Sequence, residues 1–332
     1  MQRIHKNIIF AKTYFEKSFS KKSYSMEFVD RGKEQKRLKR AFESETKKFV
    51  VIYGRRRLGK STLLKRVITD EDVYFEAGRQ ETQVQISLLA GTIANLYSGF
   101  DMPLYPTWES VLTAFNKVCR ENTVLVLDEF PYMVEKDSSL PSVLQHILDS
   151  GELRYNLVIC GSSQRMMQHF VLDSTDPLYG RAHEKMNLRP IRPQHWQEAI
   201  HLDAVSTIEE YSVWGGVPRY WTLREEYPSL REAINELILD EHGILYGEPS
   251  ALFIDEANDI APFQSIMTAL GHGNTRYSAV ASAIGKKTTE ISKPLNALTE
   301  MTYISKEIPF GESEEKTKKT LYVIDDNLMA FY

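Results

Sequence analysis

The 332-residue chain predicts an α/β fold built on a parallel sheet, and three observations carry that expectation. Continuous apolar runs alternate with helical stretches, as in strands buried on both faces. The first run, Phe49-Val50-Val51-Ile52-Tyr53, is followed at once by Gly54-Arg55-Arg56-Arg57-Leu58-Gly59-Lys60-Ser61 and then by a helix-forming run from Thr62 to Ile68. That is G-x-x-x-x-G-K-[ST] in the strand-loop-helix context it requires. Third, the alternation stops near residue 200, so the length divides into about two domains.

The elements read as follows. Lys33 to Phe42 has helical spacing, and the phosphate-loop strand and helix come next. Val73-Tyr74-Phe75-Glu76 reads as a short strand and Val84 to Leu96 as a helix. Trp108 to Cys119 places Val111, Leu112, Phe115 and Val118 at helical spacing. Val124-Leu125-Val126-Leu127 is a buried strand, Pro141 to Leu148 a helix with proline in its first turn, Asn156 to Cys160 another strand and Lys185 to Ile191 a last one. Ile208 to His242 is mostly helical, broken at Gly215-Gly216-Val217-Pro218, and Gly247-Glu248-Pro249-Ser250 reads as a turn and linker. From Ala261 the pattern is three helices and two strands. Arg276 to Ile284 ends at Gly285. Glu290 to Met301 follows, with Pro294 arguing for a start near Ser292. Tyr303 to Ile308 and Thr320 to Ile324 flank the charged loop from Gly311 to Lys319. Helix-turn-helix followed by a hairpin is a winged-helix pattern.

Composition excludes several classes. Apolar residues make up 42% and charged residues 26%, and the formal net charge of -4 argues against a nucleic-acid coat but not against a local basic patch. No apolar run approaches a membrane span. Cys119 and Cys160 are the two cysteines, which points to a reducing, cytoplasmic setting without disulfides. Residues 1–25 hold Arg3, Lys6, Lys12, Lys17, Lys21 and Lys22 against one acid, Glu16. They read as an accessory tail ahead of Met26, with contact to nucleic acid or a membrane surface as the alternative.

The loop predicts nucleotide binding. Backbone N–H groups of residues 54–62, from Gly54 to Thr62, would face phosphate oxygens at a helix N-terminus. Lys60 reaches the β- and γ-phosphates, and Ser61 holds Mg²⁺. The strand ending Asp128-Glu129 is a second nucleotide signature: Asp128 would hold Mg²⁺, directly or through water, and Glu129 is the base that orients the attacking water. A solvated strand end is the plain alternative. After the next strand, Ser162 is placed to bond the γ-phosphate or water, unless Gly161-Ser162-Ser163 is an ordinary turn. Arg181 would neutralise transition-state charge in its own site or a neighbour's, with a surface salt bridge as the alternative. No metal-spaced His/Cys cluster and no serine or cysteine triad is present in the sequence.

These residues resemble the archaeal and bacterial P-loop ATPases related to AAA+ and STAND proteins, over about residues 26–332. The resemblance rests on Phe28-Val29-Asp30-Arg31 with Glu34, on Tyr53-Gly54-Arg55-Arg56-Arg57, on Leu127-Asp128-Glu129-Phe130, on Gly161-Ser162-Ser163 and on Gly215-Gly216-Val217-Pro218-Arg219-Tyr220. It implies an AAA+-like core over 26–200 with strand order 5-1-4-3-2, a helical lid over 201–258 and a winged helix over 259–332. It also implies ATP over GTP, and Arg219 contacting the nucleotide from the lid. Many members continue into a nuclease-like domain that would begin about where Met329-Ala330-Phe331-Tyr332 ends this chain, so no nuclease activity is carried over. Lys286, Lys287 and Lys293 suit DNA, while Glu290, Glu312, Glu314 and Glu315 oppose it, leaving DNA and protein open as partners. An oligomer is required only if Arg181 acts in trans. The functional expectation is an ATP hydrolase, with a nucleotide-gated switch as the alternative and a P-loop kinase as the weaker third reading.

Overall fold

The computed structural model describes residues 29–254, 256, 259–313, 317 and 319–332, apart from the side chains of 171 and 172. The basic tail over 1–25 and the wing residues Glu314 and Glu315 lie outside the described residues.

Five parallel strands form the central sheet: Phe49–Tyr53 (β1), Val73–Glu76 (β2), Val124–Asp128 (β3), Asn156–Gly161 (β4) and Glu184–Asn187 (β5). Their spatial order is β2-β3-β4-β1-β5, the expected 5-1-4-3-2 read from the other edge. In register, Tyr53 pairs with Gly161 on one side and Asn187 on the other, and Glu76 pairs with Asp128. The three central strands are buried throughout, which is why they read as continuous apolar runs. Val51, Leu125, Leu127 and Ile159 face one cluster with Trp108 and Phe115, while Val50, Ile52, Val126 and Val158 face another with Leu63 and Leu64. Each such side chain contributes about 1.5–3 kcal/mol.

Gly32–Phe42 (α1) and Lys60–Val67 (α2) cover the second face. Thr82–Ala94 (α3), Trp108–Val118 (α4), Phe130–Lys136 (α5), Leu140–Asp149 (α6) and Gln164–Leu172 (α7) contribute to the first. A tryptophan-rich cluster follows, contributed by Pro193–Ile200 (α8), Ala204–Trp214 (α9), Pro218–Arg224 (α10), Leu230–Ile234 (α11) and the π-helical stretch Asn235–Leu239. Trp196 and Trp221 stack there with centroids 4.6 Å apart. Leu58 of the phosphate loop is buried in the same cluster.

The C-terminal segment holds Glu248–Ile254 (α12), Ala261–Gly271 (α13), Tyr277–Ala283 (α14) and Thr288–Glu300 (α15), then the antiparallel pair Ile304–Glu307 (β6) and Leu321–Ile324 (β7), and Asn327–Phe331 (α16). Two expectations need correction. Residues 248–250 begin α12 instead of forming a turn, because proline is tolerated in a helix's first turn. Likewise α15 starts at Thr288, four residues before Ser292, with Pro294 inside it. Glu290 accepts the Lys287 N–H at 2.8 Å and so holds the first turn that the proline would otherwise weaken. Four helices, α5, α7, α8 and α16, were not foreseen.

Candidate functional site

The phosphate loop leaves the C-terminal edge of β1 and turns into α2. Gly54 has φ of 149°, and a Cβ there would lie 2.5 Å from the Leu188 carbonyl oxygen, so glycine alone fits between β1 and the chain leaving β5. Gly59, at φ of 84°, supplies the left-handed residue ahead of α2. Lys60 is buried and donates to the carbonyls of Gly54 at 2.7 Å and Arg55 at 3.0 Å, closing the loop on its own ammonium. Burial depresses the Lys60 ammonium, while Cys160, Glu129 and Asp128 work to keep it charged.

Next to Lys60 in sequence, the Ser61 hydroxyl donates to Asp128 Oδ2 at 2.6 Å. Asp128 is 1% exposed at the end of β3, and its Oδ1 accepts the Glu129 N–H at 2.9 Å. The Tyr74 hydroxyl on β2 also donates to Asp128 Oδ2. Burial works against the Asp128 charge. Hydrogen bonds from Ser61, Tyr74 and the Cys160 thiol outweigh it and hold the carboxyl below the usual range. Glu129 sits at φ of 52°, an uncommon conformation for a residue with a side chain. Its Oε2 accepts the Ser162 hydroxyl at 2.9 Å and the Ser162 N–H at 3.3 Å. Lys60, Ser61, Asp128, Glu129 and Ser162 therefore meet at one edge of the sheet.

Ser61 and Asp128 present hard oxygen donors, the set that suits Mg²⁺. Among the described residues no group of three or more His, Cys, Asp or Glu forms a metal cage. Thr62 is exposed in the first turn of α2.

The loop's arginines have side-chain partners elsewhere. Buried Arg55 pairs with Asp326, donates to the Thr302 carbonyl at 3.2 Å and lies 4.6 Å from the centroid of the Tyr303 ring. Arg57 pairs with buried Glu248, which also accepts the Tyr220 hydroxyl at 2.7 Å. Arg56 donates to the Tyr132 hydroxyl at 2.9 Å. Arg181 is not brought to the loop. It lies before β5 and binds Asp149, the last residue of α6, through two nitrogens at 2.8 and 2.7 Å. Both residues lie at the N-terminal edge of the sheet, about 15 Å of strand away from the phosphate loop. Arg219 is exposed in the first turn of α10 with no hydrogen bond or ion pair among the described residues.

Two participants escaped the sequence reading. Tyr74 is one; its place on the same face of β2 as Val126 and Asp128 of β3 was the available signal. Glu256 is the other. It accepts the Ser163 hydroxyl and the Gln164 N–H, both at 3.1 Å, and with Glu129, Ser162, Arg79 and Arg165 it lines a groove of about 1220 Å³. Nothing in the sequence near Glu256 signals that contact.

Residues 28–220 match the family described as an ATPase domain predominantly from Archaea. An uncharacterized protein of Methanocaldococcus jannaschii is 30% identical over 314 residues, covering 92% of this chain and 68% of that protein. Among solved structures, a Walker-type ATPase of Pyrococcus abyssi superposes with a TM-score of 0.69 at 18% identity, covering 91% of this chain and 95% of the other. The ORC2 protein of Aeropyrum pernix superposes with a TM-score of 0.50 at 16% identity, covering 94% and 95%. At these identities the likeness is one of fold. Among the described residues no helix is long and apolar enough to cross a membrane.

Proposed function

The chain belongs to the P-loop ATPase domains found predominantly in Archaea, and on that premise we propose that it binds ATP with Mg²⁺ and hydrolyses it, with the nucleotide state coupled to its C-terminal segment. The observation that carries the reading is the convergence of Lys60, Ser61, Asp128, Glu129 and Ser162 at the C-terminal edge of the parallel strands. Ligands bind at that edge in open α/β sheets.

Lys60 exchanges the Gly54 and Arg55 carbonyls for phosphate oxygens. The loop's N–H groups, Gly54 to Thr62, cradle the remainder. Mg²⁺, held by Ser61 and Asp128, supplies neutralisation of the charge on the phosphates. Glu129 orients the attacking water and takes its proton. Ser162, its hydrogen-bond partner, sets where that carboxylate points and contacts the γ-phosphate. Arg219, exposed on α10 and unpaired among the described residues, is assigned to the nucleotide from the lid side. Arg181 is assigned no part in the site of its own chain.

In this reading residues 26–200 are the core, 201–258 an AAA+-like helical lid and 259–332 a winged helix. Two ion pairs support coupling. Arg57–Glu248 ties the phosphate loop to the end of the lid, and Arg55–Asp326 ties it to the last segment. A second reading, a slow nucleotide-gated switch whose output is binding, is favoured by charge pairing on the proposed winged helix. Lys286 pairs with Glu290 and Lys319 with Glu312, which leaves fewer free cations for DNA and favours a protein partner. Turnover measured with and without double-stranded DNA separates the two. Stimulation supports a DNA-coupled ATPase, and ATP bound without turnover supports the switch.

A further inference from the structure

Asp128 Oδ2 takes hydrogen bonds from two hydroxyls, Ser61 on α2 and Tyr74 on β2. Ser61 belongs to the loop motif; Tyr74 does not, and it comes from the edge strand. Its position is well determined. Tyr74 pairs in register with Val126, two residues before Asp128 on the same face, and packs against the cluster containing Val124, Val126 and Leu64. The Lys65 ammonium lies 4.6 Å from the centroid of its ring. Lys65 follows Ser61 by one helical turn, so α2 holds both the ring and the serine. A phenylalanine would provide the same packing and the same cation–π contact. What the hydroxyl adds is its bond to Asp128, made beside the Ser61 hydroxyl.

We propose that Tyr74 is a positioning residue for the Mg²⁺ site, its hydroxyl fixing the Asp128 carboxylate so that Asp128 and Ser61 present one fixed spacing to the metal. The inference rests on the ATP and Mg²⁺ reading above. Partners that orient metal ligands change metal affinity by about 10–100-fold when removed.

The test is calorimetric titration of the full chain with ATP, in Mg²⁺ and in EDTA, for wild type and Tyr74→Phe. Tyr74→Phe is expected to weaken binding about 10–100-fold in Mg²⁺ and to leave binding in EDTA unchanged. In a Ser61→Ala background the same substitution is expected to add little. Unchanged binding in Mg²⁺ overturns the proposal, as does an equal loss in both conditions, which marks a merely structural role. If Tyr74→Phe does not fold, Lys65→Met, which keeps the hydroxyl but frees the ring, is expected to give a smaller loss confined to Mg²⁺. No such loss overturns the proposal. Wild type binding no ATP in either condition overturns the ATP reading instead.

Discussion

Replacing Arg55 with methionine removes the cation from an ion pair that joins the phosphate loop to the last segment of the chain and is buried on both sides. Burial works against the Arg55 charge, and Asp326 leads the groups, Tyr303 and Tyr220 among them, that together outweigh it. Without the guanidinium, the Asp326 carboxylate is left buried with the Met329 N–H at 2.8 Å as its remaining hydrogen-bond donor among the described residues. Breaking a buried pair from one side costs about 3–5 kcal/mol. A whole-chain unfolding energy is ill-defined for a protein of this size, so the assay is native-state hydrogen exchange of amides in β6, β7 and α16. At about 1.4 kcal/mol per decade, they should exchange roughly two to nearly four decades faster in Arg55→Met. Asp326→Asn keeps an acceptor for the helix cap, and the double variant Arg55→Met/Asp326→Asn should recover much of the loss, because no unpaired charge remains. Acceleration of less than about tenfold in Arg55→Met would refute the reasoning, since it would mean that the pair is solvated and contributes like a surface salt bridge.

Lys60→Ala should weaken ATP binding by about 10–100-fold, the loss of a charge-assisted contact, read by calorimetric titration. A second expectation concerns pH. His183 Nδ1 accepts the Phe49 N–H at 3.1 Å, and burial followed by the Lys48 charge depresses its pKa. As pH falls below the ordinary histidine value of about 6.5, the unfolded chain takes up a proton that the folded chain resists, so stability declines down to the folded pKa. Melting temperature should therefore drop across that acid window, and His183→Gln should flatten this part of the profile.

Strands buried on both faces were legible because a continuous apolar run has few other uses, and β2 was read to the residue from its Val-Tyr-Phe core. The loop and the Asp128-Glu129 strand end were legible because phosphate chemistry demands fixed residue types at fixed spacing. Their spatial order came from family resemblance, since adjacency in a parallel sheet leaves no local trace. What escaped the sequence was long-range. Arg55, Arg56 and Arg57 look like phosphate ligands in a linear reading, yet Asp326, Tyr132 and Glu248 engage their side chains. Arg181 has the residue type needed near a γ-phosphate, but the chain direction of β5 puts it at the wrong edge of the sheet in its own subunit. Helix α16 was hidden by its brevity, with its cap, Asp326, only two residues past the end of β7.

The central claim is that Glu129 directs water at a nucleotide held by Lys60, Ser61 and Asp128. Phosphate release from ATP and Mg²⁺ by the wild-type chain, measured beside Glu129→Gln, tests it most directly. Steady release by wild type is expected, with ATP binding retained in the variant and its turnover reduced about 10²–10⁴-fold. Equal turnover in both proteins would contradict it and remove Glu129 from the mechanism.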